Sequence, residues 1–186
     1  MKRLLAGGMF IVSLMVNGCV NPGSSLPWID EPLPTAYTLD AGDELHVIVI
    51  DEPQLSGNFK LDSTGAISIP TIPRLDARRQ TTAELEERIR QELSNEQLRA
   101  PEVSVQVVAP RPFFILGEVA RPGAYPYSPD MSVLTAVAIA GGFTNRAQTE
   151  HVSISRKKDG TPLERRAGRD SIVLPGDVIY VFERII

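Results

Sequence analysis

FFILGEVARPGAYPYSPDMSVLTAVAIAGGFT, residues 113–144, decides how the chain folds, because it reads as strand, tight turn, strand, short apolar helix and glycine stop. Phe113 to Leu116 is a run of β-formers, and Gly117 interrupts it, which predicts a bulge or a close approach of backbone to backbone. Pro122-Gly123 predicts a turn: proline presets φ at the second turn position and glycine accepts the positive φ at the third. Met131 to Ala140 is almost wholly apolar and rich in alanine, and Gly141-Gly142 ends it, since glycine takes the left-handed cap without a Cβ clash. So short and apolar a helix is held only by burial against a sheet.

Upstream lies a second unit. Tyr37 to Leu45 (YTLDAGDEL) reads as a strand start, a Gly-Asp turn and a re-entry into strand, and Leu45 to Ile50 follows as a run expected to be buried on both faces. Residues 61–67 (LDSTGAI) predict a hairpin with Gly65 in a left-handed position, and Ile67, Ile69 and Ile72 continue the sheet. Thr81-Thr82-Ala83-Glu84 is a capping box, and Leu85, Ile89 and Leu93 form the apolar stripe of the helix it starts. The remaining face, with Glu84, Glu86, Glu87, Arg88, Arg90 and Glu92, is read as solvated. Val103, Val105 and Val107 alternate with polar residues in a half-buried strand. Gly42-Asp43 and Gly176-Asp177 echo one another, each leading an apolar strand.

The N-terminus bears on compartment. Lys2-Arg3 is a basic n-region and Leu4 to Val16 an apolar h-region too short to span a bilayer comfortably. Val16-Asn17-Gly18-Cys19 resembles a bacterial lipobox, in which Cys19 is lipidated and becomes the first mature residue. Cys19 is the only cysteine, so no intramolecular disulfide is possible, and acylation would remove a free thiol that an oxidising compartment tolerates poorly. Val20 after it resembles lipoproteins sent to the outer membrane. Residues 20–36, with four prolines, read as an extended tether, and Trp28 within it either as a partly exposed aromatic packed on the domain or as a contact with a neighbouring subunit or the membrane interface. The formal net charge is −4, which argues against nucleic acid as a partner.

The string G-E-V-x-x-P-G-x-Y, then V-L-x-A-V-A-x-A-G-G and P-G-D-V-I-x-V resembles the SLBB (soluble-ligand-binding β-grasp) module of Wza-type outer-membrane polysaccharide export lipoproteins. Upstream, Tyr37, Leu39, Gly42, Asp43, Leu45 and Val47, then Asp62, Gly65, Ile67, Ile69 and Pro70, then Thr81, Glu84 and Leu85, then Pro101, Val103 and Val105 resemble the polysaccharide export (PES) domain of the same family. The organisation so implied is a signal peptide over 1–18, a lipidated Cys19 with a proline-rich tether over 19–36, a PES domain over 37–110 and an SLBB domain over 111–186. The fold class is α+β: two small β-rich modules, each with a helix packed on a mixed sheet. The chain is expected to be a short form, with one SLBB module and without the C-terminal amphipathic helix of longer members. Outside the modules it lacks the alternating strands of a conventional transmembrane β-barrel.

No G-x-S-x-G, P-loop, G-x-G-x-x-G or H-E-x-x-H occurs, so the sequence gives no ground for an enzyme, a cofactor or a metal. His46 and His151 lie far apart in strand patterns and read as packed or surface histidines. Arg156, Lys157 and Lys158 lead into a hairpin turn at Asp159-Gly160, and Arg165, Arg166 and Arg169 are read in a polar loop. They either line a path for an acidic polysaccharide or form a solvated tip and ion pairs. The resemblance implies a homo-oligomeric ring, possibly an octamer, on the periplasmic face of the outer membrane. It also implies a polysaccharide substrate and contact with an inner-membrane polysaccharide co-polymerase. The alternative is a lipid-anchored scaffold or saccharide-binding adaptor that links the co-polymerase to a separate pore.

Overall fold

A computed structural model describes residues 22–30, 32, 34–96, 100–158 and 160–185. The signal peptide, Cys19 and Asp159 lie outside the described residues. The fold is α+β, with two hydrophobic cores, one for each unit of the chain.

In the first unit β1 (Glu44–Val49) pairs antiparallel with β2 (Gly57–Lys60) after a short 3-10 turn at Pro53–Leu55. β3 (Ala66–Ile67) and β4 (Leu75–Asp76) form a small separate sheet around the turn that Gly65 closes at φ +80°. Asp62 organises this turn by accepting from Thr64 Oγ1 and from the Thr64 and Ala66 amides. Those bonds, the Thr64 hydroxyl first, hold its carboxyl down at about 2.

α1 (Thr82–Asn95) begins with the predicted capping box: Glu84 N–H donates to Thr81 Oγ1, and Thr81 N–H donates to the Glu84 carboxylate at 2.7 Å. Leu85, Ile89 and Leu93 are fully buried, as their spacing predicts. Thr81→Ala is expected to lower the unfolding free energy by about 1 kcal/mol, measured by urea denaturation. The two Thr81 hydrogen bonds depress the Glu84 carboxyl. The stabilisation that the ionised Glu84 carboxylate adds is therefore fully present above the ordinary carboxylate range and is lost as pH falls through the depressed value.

β5 (Val103–Ala109) closes the sheet in the order β2-β1-β5. All its pairings are antiparallel, not mixed as expected, because α1 returns the chain to the end that β1 left. Val49 pairs with Val103, so β5 can only run back along β1. Nor is β1 buried on both faces. Leu45, Val47 and Val49 face α1, while Ile48 and Ile50 are exposed, since the core lies on one side of this sheet only. Glu86, read as solvated, accepts the Val105 N–H at 2.7 Å and so ties α1 to the edge of β5.

The second unit carries the mixed sheet. β6 (Phe113–Gly117) pairs with β7 (Gly123–Tyr125). α2 (Val133–Ile139) is capped by Ser132 and ends in a Schellman motif: Gly142 N–H donates to the Val137 carbonyl and Gly141 N–H to that of Ala138, both glycines having positive φ. β8 (His151–Lys158), β9 (Thr161–Gly168) and β10 (Val178–Val181) complete the order β7-β6-β10-β8-β9, with β10 parallel to β6. Val133, Ala136 and Val137 of α2 share a core with Phe113, Ile115, Ile154 and Ile179.

Gly117 makes the close approach predicted for it, at φ +84° against the Val181 carbonyl, which accepts the Glu118 N–H at 3.0 Å. The Pro122-Gly123 turn is corrected. Gly123 opens β7 without a positive φ, and the chain reverses before it, where Val119 bridges to Phe143 and the left-handed residue is Gly117.

Candidate functional site

The two Gly-Asp turns meet in space. In each, glycine takes a positive φ (Gly42 +93°, Gly176 +85°) and the buried aspartate accepts the amide three residues before it. Asp43 Oδ2 takes the Asp40 N–H at 2.9 Å, and Asp177 Oδ2 takes the Leu174 N–H at 2.7 Å. Each carboxylate then binds one arginine. Asp43, 0% exposed, accepts the Arg111 backbone N–H at 2.8 Å and its Nη1 at 3.1 and 3.3 Å. Asp177 receives a forked pair from Arg156, Nε to Oδ1 at 3.0 Å and Nη2 to Oδ2 at 2.8 Å, and Arg156 Nη2 also donates to the Ile172 carbonyl.

Arg111 is the residue on which the units join. Its side chain passes both turns: a Cβ added at Gly42 would touch its Cβ, and one added at Gly176 would lie 3.1 Å from its Nε. Its guanidinium sits 5.8 Å from the centre of the Tyr37 ring and donates to the Tyr37 hydroxyl at 3.3 Å. Directly after it, the Pro112 carbonyl accepts the Gly176 N–H, and the Phe114 N–H donates to the Asp177 carbonyl. Thus Arg111 is hydrogen-bonded to the first turn and packs beside the second, which bonds Pro112 and Phe114 directly after it.

This junction floors a cleft of about 980 Å³. Its lining holds six basic side chains against three carboxylates, an excess of positive charge in a chain that is acidic overall. Tyr37, Phe114 and Tyr127 supply aromatic surface. Burial first, then the charge of Asp43, pushes the Tyr37 phenol well above its ordinary range; burial, then Asp130 and Asp177, raises Tyr127. Both hydroxyls therefore remain protonated donors at any physiological pH. A surface of arginine, lysine and tyrosine can hold a polyhydroxylated chain bearing carboxylates through charge-assisted hydrogen bonds. Among the described residues no cluster of His, Cys, Asp and Glu is arranged to hold a metal ion.

The predicted basic set divides. Arg156, Lys157 and Lys158 line the cleft, although Arg156 is committed to Asp177; Lys157 is exposed. Arg165 and Arg166 are not in a loop but in β9, because β9 starts at Thr161 and pairs with β8 as far as Gly168. Arg165 donates to the Glu164 carbonyl, Arg166 stacks 4.2 Å over Trp28, and Arg169 is exposed beyond the strand, so none of the three reaches the cleft. Tyr37, Arg78, Arg111 and Tyr127 were not singled out as site residues. For Arg111 the paired Gly-Asp echo was the available signal, since two buried aspartates require two cations. His46 bonds to Asn58, and the buried His151 to Gln148 and the Pro22 carbonyl, each within its own surroundings.

Residues 31–108 match the family described as polysaccharide biosynthesis/export protein, and residues 112–167 match the SLBB domain. The chain is also 35% identical to the exopolysaccharide production protein ExoF of Rhizobium meliloti (strain 1021), over an alignment that takes in 64% of this chain and 30% of that protein. It therefore spans less than a third of that relative's length. Among the described residues no helix is long and apolar enough to cross a membrane.

Proposed function

From a chain whose residues 31–108 match the polysaccharide biosynthesis/export family and whose residues 112–167 match the SLBB domain, we propose an envelope component that guides polysaccharide out of the cell without making or breaking a bond. In this reading Cys19 is acylated, the chain is held on the periplasmic face of the outer membrane, and copies assemble into a ring around a polar lumen. The ring would meet an inner-membrane co-polymerase and take the growing polysaccharide from it. One observation carries the saccharide-guiding role: a cleft between the two modules with a surplus of cations and three aromatic residues, in a protein whose net charge is negative. An acidic polysaccharide would be held there transiently, by contacts that water and salt exchange readily.

The test is imaging of the acylated protein extracted in detergent, together with its conductance in planar bilayers. Closed rings that conduct are expected. A monomer with no affinity for any export-machinery protein would overturn the proposal. Rings that bind the co-polymerase but do not conduct would replace the channel by the scaffold, with the pore in another protein.

A further inference from the structure

Residues 22–29, ahead of the first module, do not form the extended tether their prolines suggest. The Pro22 carbonyl lies 3.0 Å from His151 Nε2, the Ile29 N–H donates to the Arg166 carbonyl and the Arg166 N–H to that of Pro27, both at 2.8 Å. A Cβ at Gly23 would overlap the Phe182 ring. Trp28 packs on the domain as predicted, under the Arg166 guanidinium. The chain that emerges from residue 21 is thereby pinned at one end of the second sheet. It is the end remote from the junction, since β6 and β10 start beside Asp177 and finish at Gly117 and Val181.

Beside this strap the outer surface of the sheet is apolar and, among the described residues, uncovered. Leu116 and Tyr180, cross-strand partners, are each 45% exposed. The Tyr180 ring meets Phe182 edge-on at 5.2 Å, Phe182 lies 6.0 Å from His151, and His151 lies 6.3 Å from Trp28, which is 52% exposed. The row is contiguous, and tyrosine and tryptophan are the side chains that settle at a membrane–water boundary.

Only Val20 and Asn21 lie between Cys19 and Pro22, and the three residue steps reach at most about 11 Å when fully extended. With Cys19 acylated, as proposed above, its chains enter the bilayer from a point within about 11 Å of Pro22, whose carbonyl touches His151. We propose that Leu116, Tyr180, Phe182 and Trp28 form a membrane-docking face that rests in the interfacial layer of the bilayer into which Cys19 is anchored. This rests on the anchoring reading. The lead is too short for the second module to stand clear of the headgroups, and the surface nearest to the anchor is the one whose burial there removes apolar area from water.

Trp28 is the only tryptophan, so the acylated protein can be tested unaltered. In phosphatidylethanolamine–phosphatidylglycerol vesicles, brominated phosphatidylcholine is expected to reduce its fluorescence about twofold, an interfacial depth, while aqueous iodide quenches it less than in the soluble Cys19→Ser chain. Because acylation occupies the native thiol, a spin label can be placed at Tyr180→Cys. It is expected to be more accessible to oxygen than to a water-soluble nickel chelate, whereas a label at Asn95→Cys, exposed at the end of α1, reports water. Lipid acylation confirmed by intact mass, with Trp28 and position 180 both aqueous, would overturn the docking face and leave the anchor standing. Spin–spin broadening at position 180 without lipid quenching would assign the face to a second copy and overturn the proposal. An unacylated Cys19 in the native protein would overturn both readings.

Discussion

Arg111→Ala is expected to lower the unfolding free energy by about 3 kcal/mol, toward the lower end of the cost of stripping one partner from a buried ion pair. The deletion leaves Asp43, which is 0% exposed, with a carboxylate that keeps the Asp40 amide and the residue 111 amide but loses its counter-charge. The lower end applies because the Arg111 side chain is itself 21% exposed, so water can partly enter the vacated space. Arg111→Lys should recover only part of the loss, since a point charge cannot meet the carboxylate and Tyr37 with the same planar group. Urea unfolding followed at two probes, one in each unit, checks this. Arg111 bonds to the first turn and its side chain lies against Gly176 of the second, so its removal should also separate a common transition into two. A loss below about 1 kcal/mol, with coincident transitions, would show that Arg111 does not couple the units.

Gly117→Ala is expected to cost about 4 kcal/mol, the sum of a left-handed alanine and an overpacked contact. The backbone there has φ +84°, and the carbonyl carbon of Val181 lies 3.0 Å from where a Cβ would stand. The strand cannot move away cheaply. Gly117 is in register with Val181 in the parallel pair of β6 and β10, and the same carbonyl accepts the Glu118 N–H. Gly142→Ala separates the two contributions: its φ is +91°, but an added Cβ meets nothing within 4 Å, so it should cost only the backbone share, about 1–2 kcal/mol. Thermal or urea midpoints of the two variants provide the comparison. Equal losses would mean that the Val181 carbonyl yields without resistance.

These positions also show how far the sequence could be read. Gly117, the capping box at Thr81, the Leu85-Ile89-Leu93 stripe and the double-glycine stop after α2 were all legible, because each depends on neighbours within a few residues. β1 was misread because one-sided and two-sided burial give the same β-branched run, and only the number of layers packed on a sheet distinguishes them. The Gly123 turn was misread because Pro-Gly favours a reversal locally, while the pairings of Val119 with Phe143 and of β6 with β7 set where the reversal falls. The basic residues were grouped by proximity in sequence. Alternation along β8 and β9 then sent Arg156 to Asp177, Arg166 to Trp28 and Lys157 to the cleft mouth.

By itself, then, the amino-acid order carried the resemblance to the polysaccharide export family, the α+β class and the local caps and turns, since short-range sterics and hydrogen bonding act on adjacent residues. Tertiary structure alone decided that two distant Gly-Asp turns converge on Arg111, that a cationic cleft forms above them, and that residues 22–29 fold back onto β9. These are contacts between segments up to more than a hundred residues apart. They are selected by the need to pair buried charges and cover sheet edges in three dimensions, which no local pattern encodes.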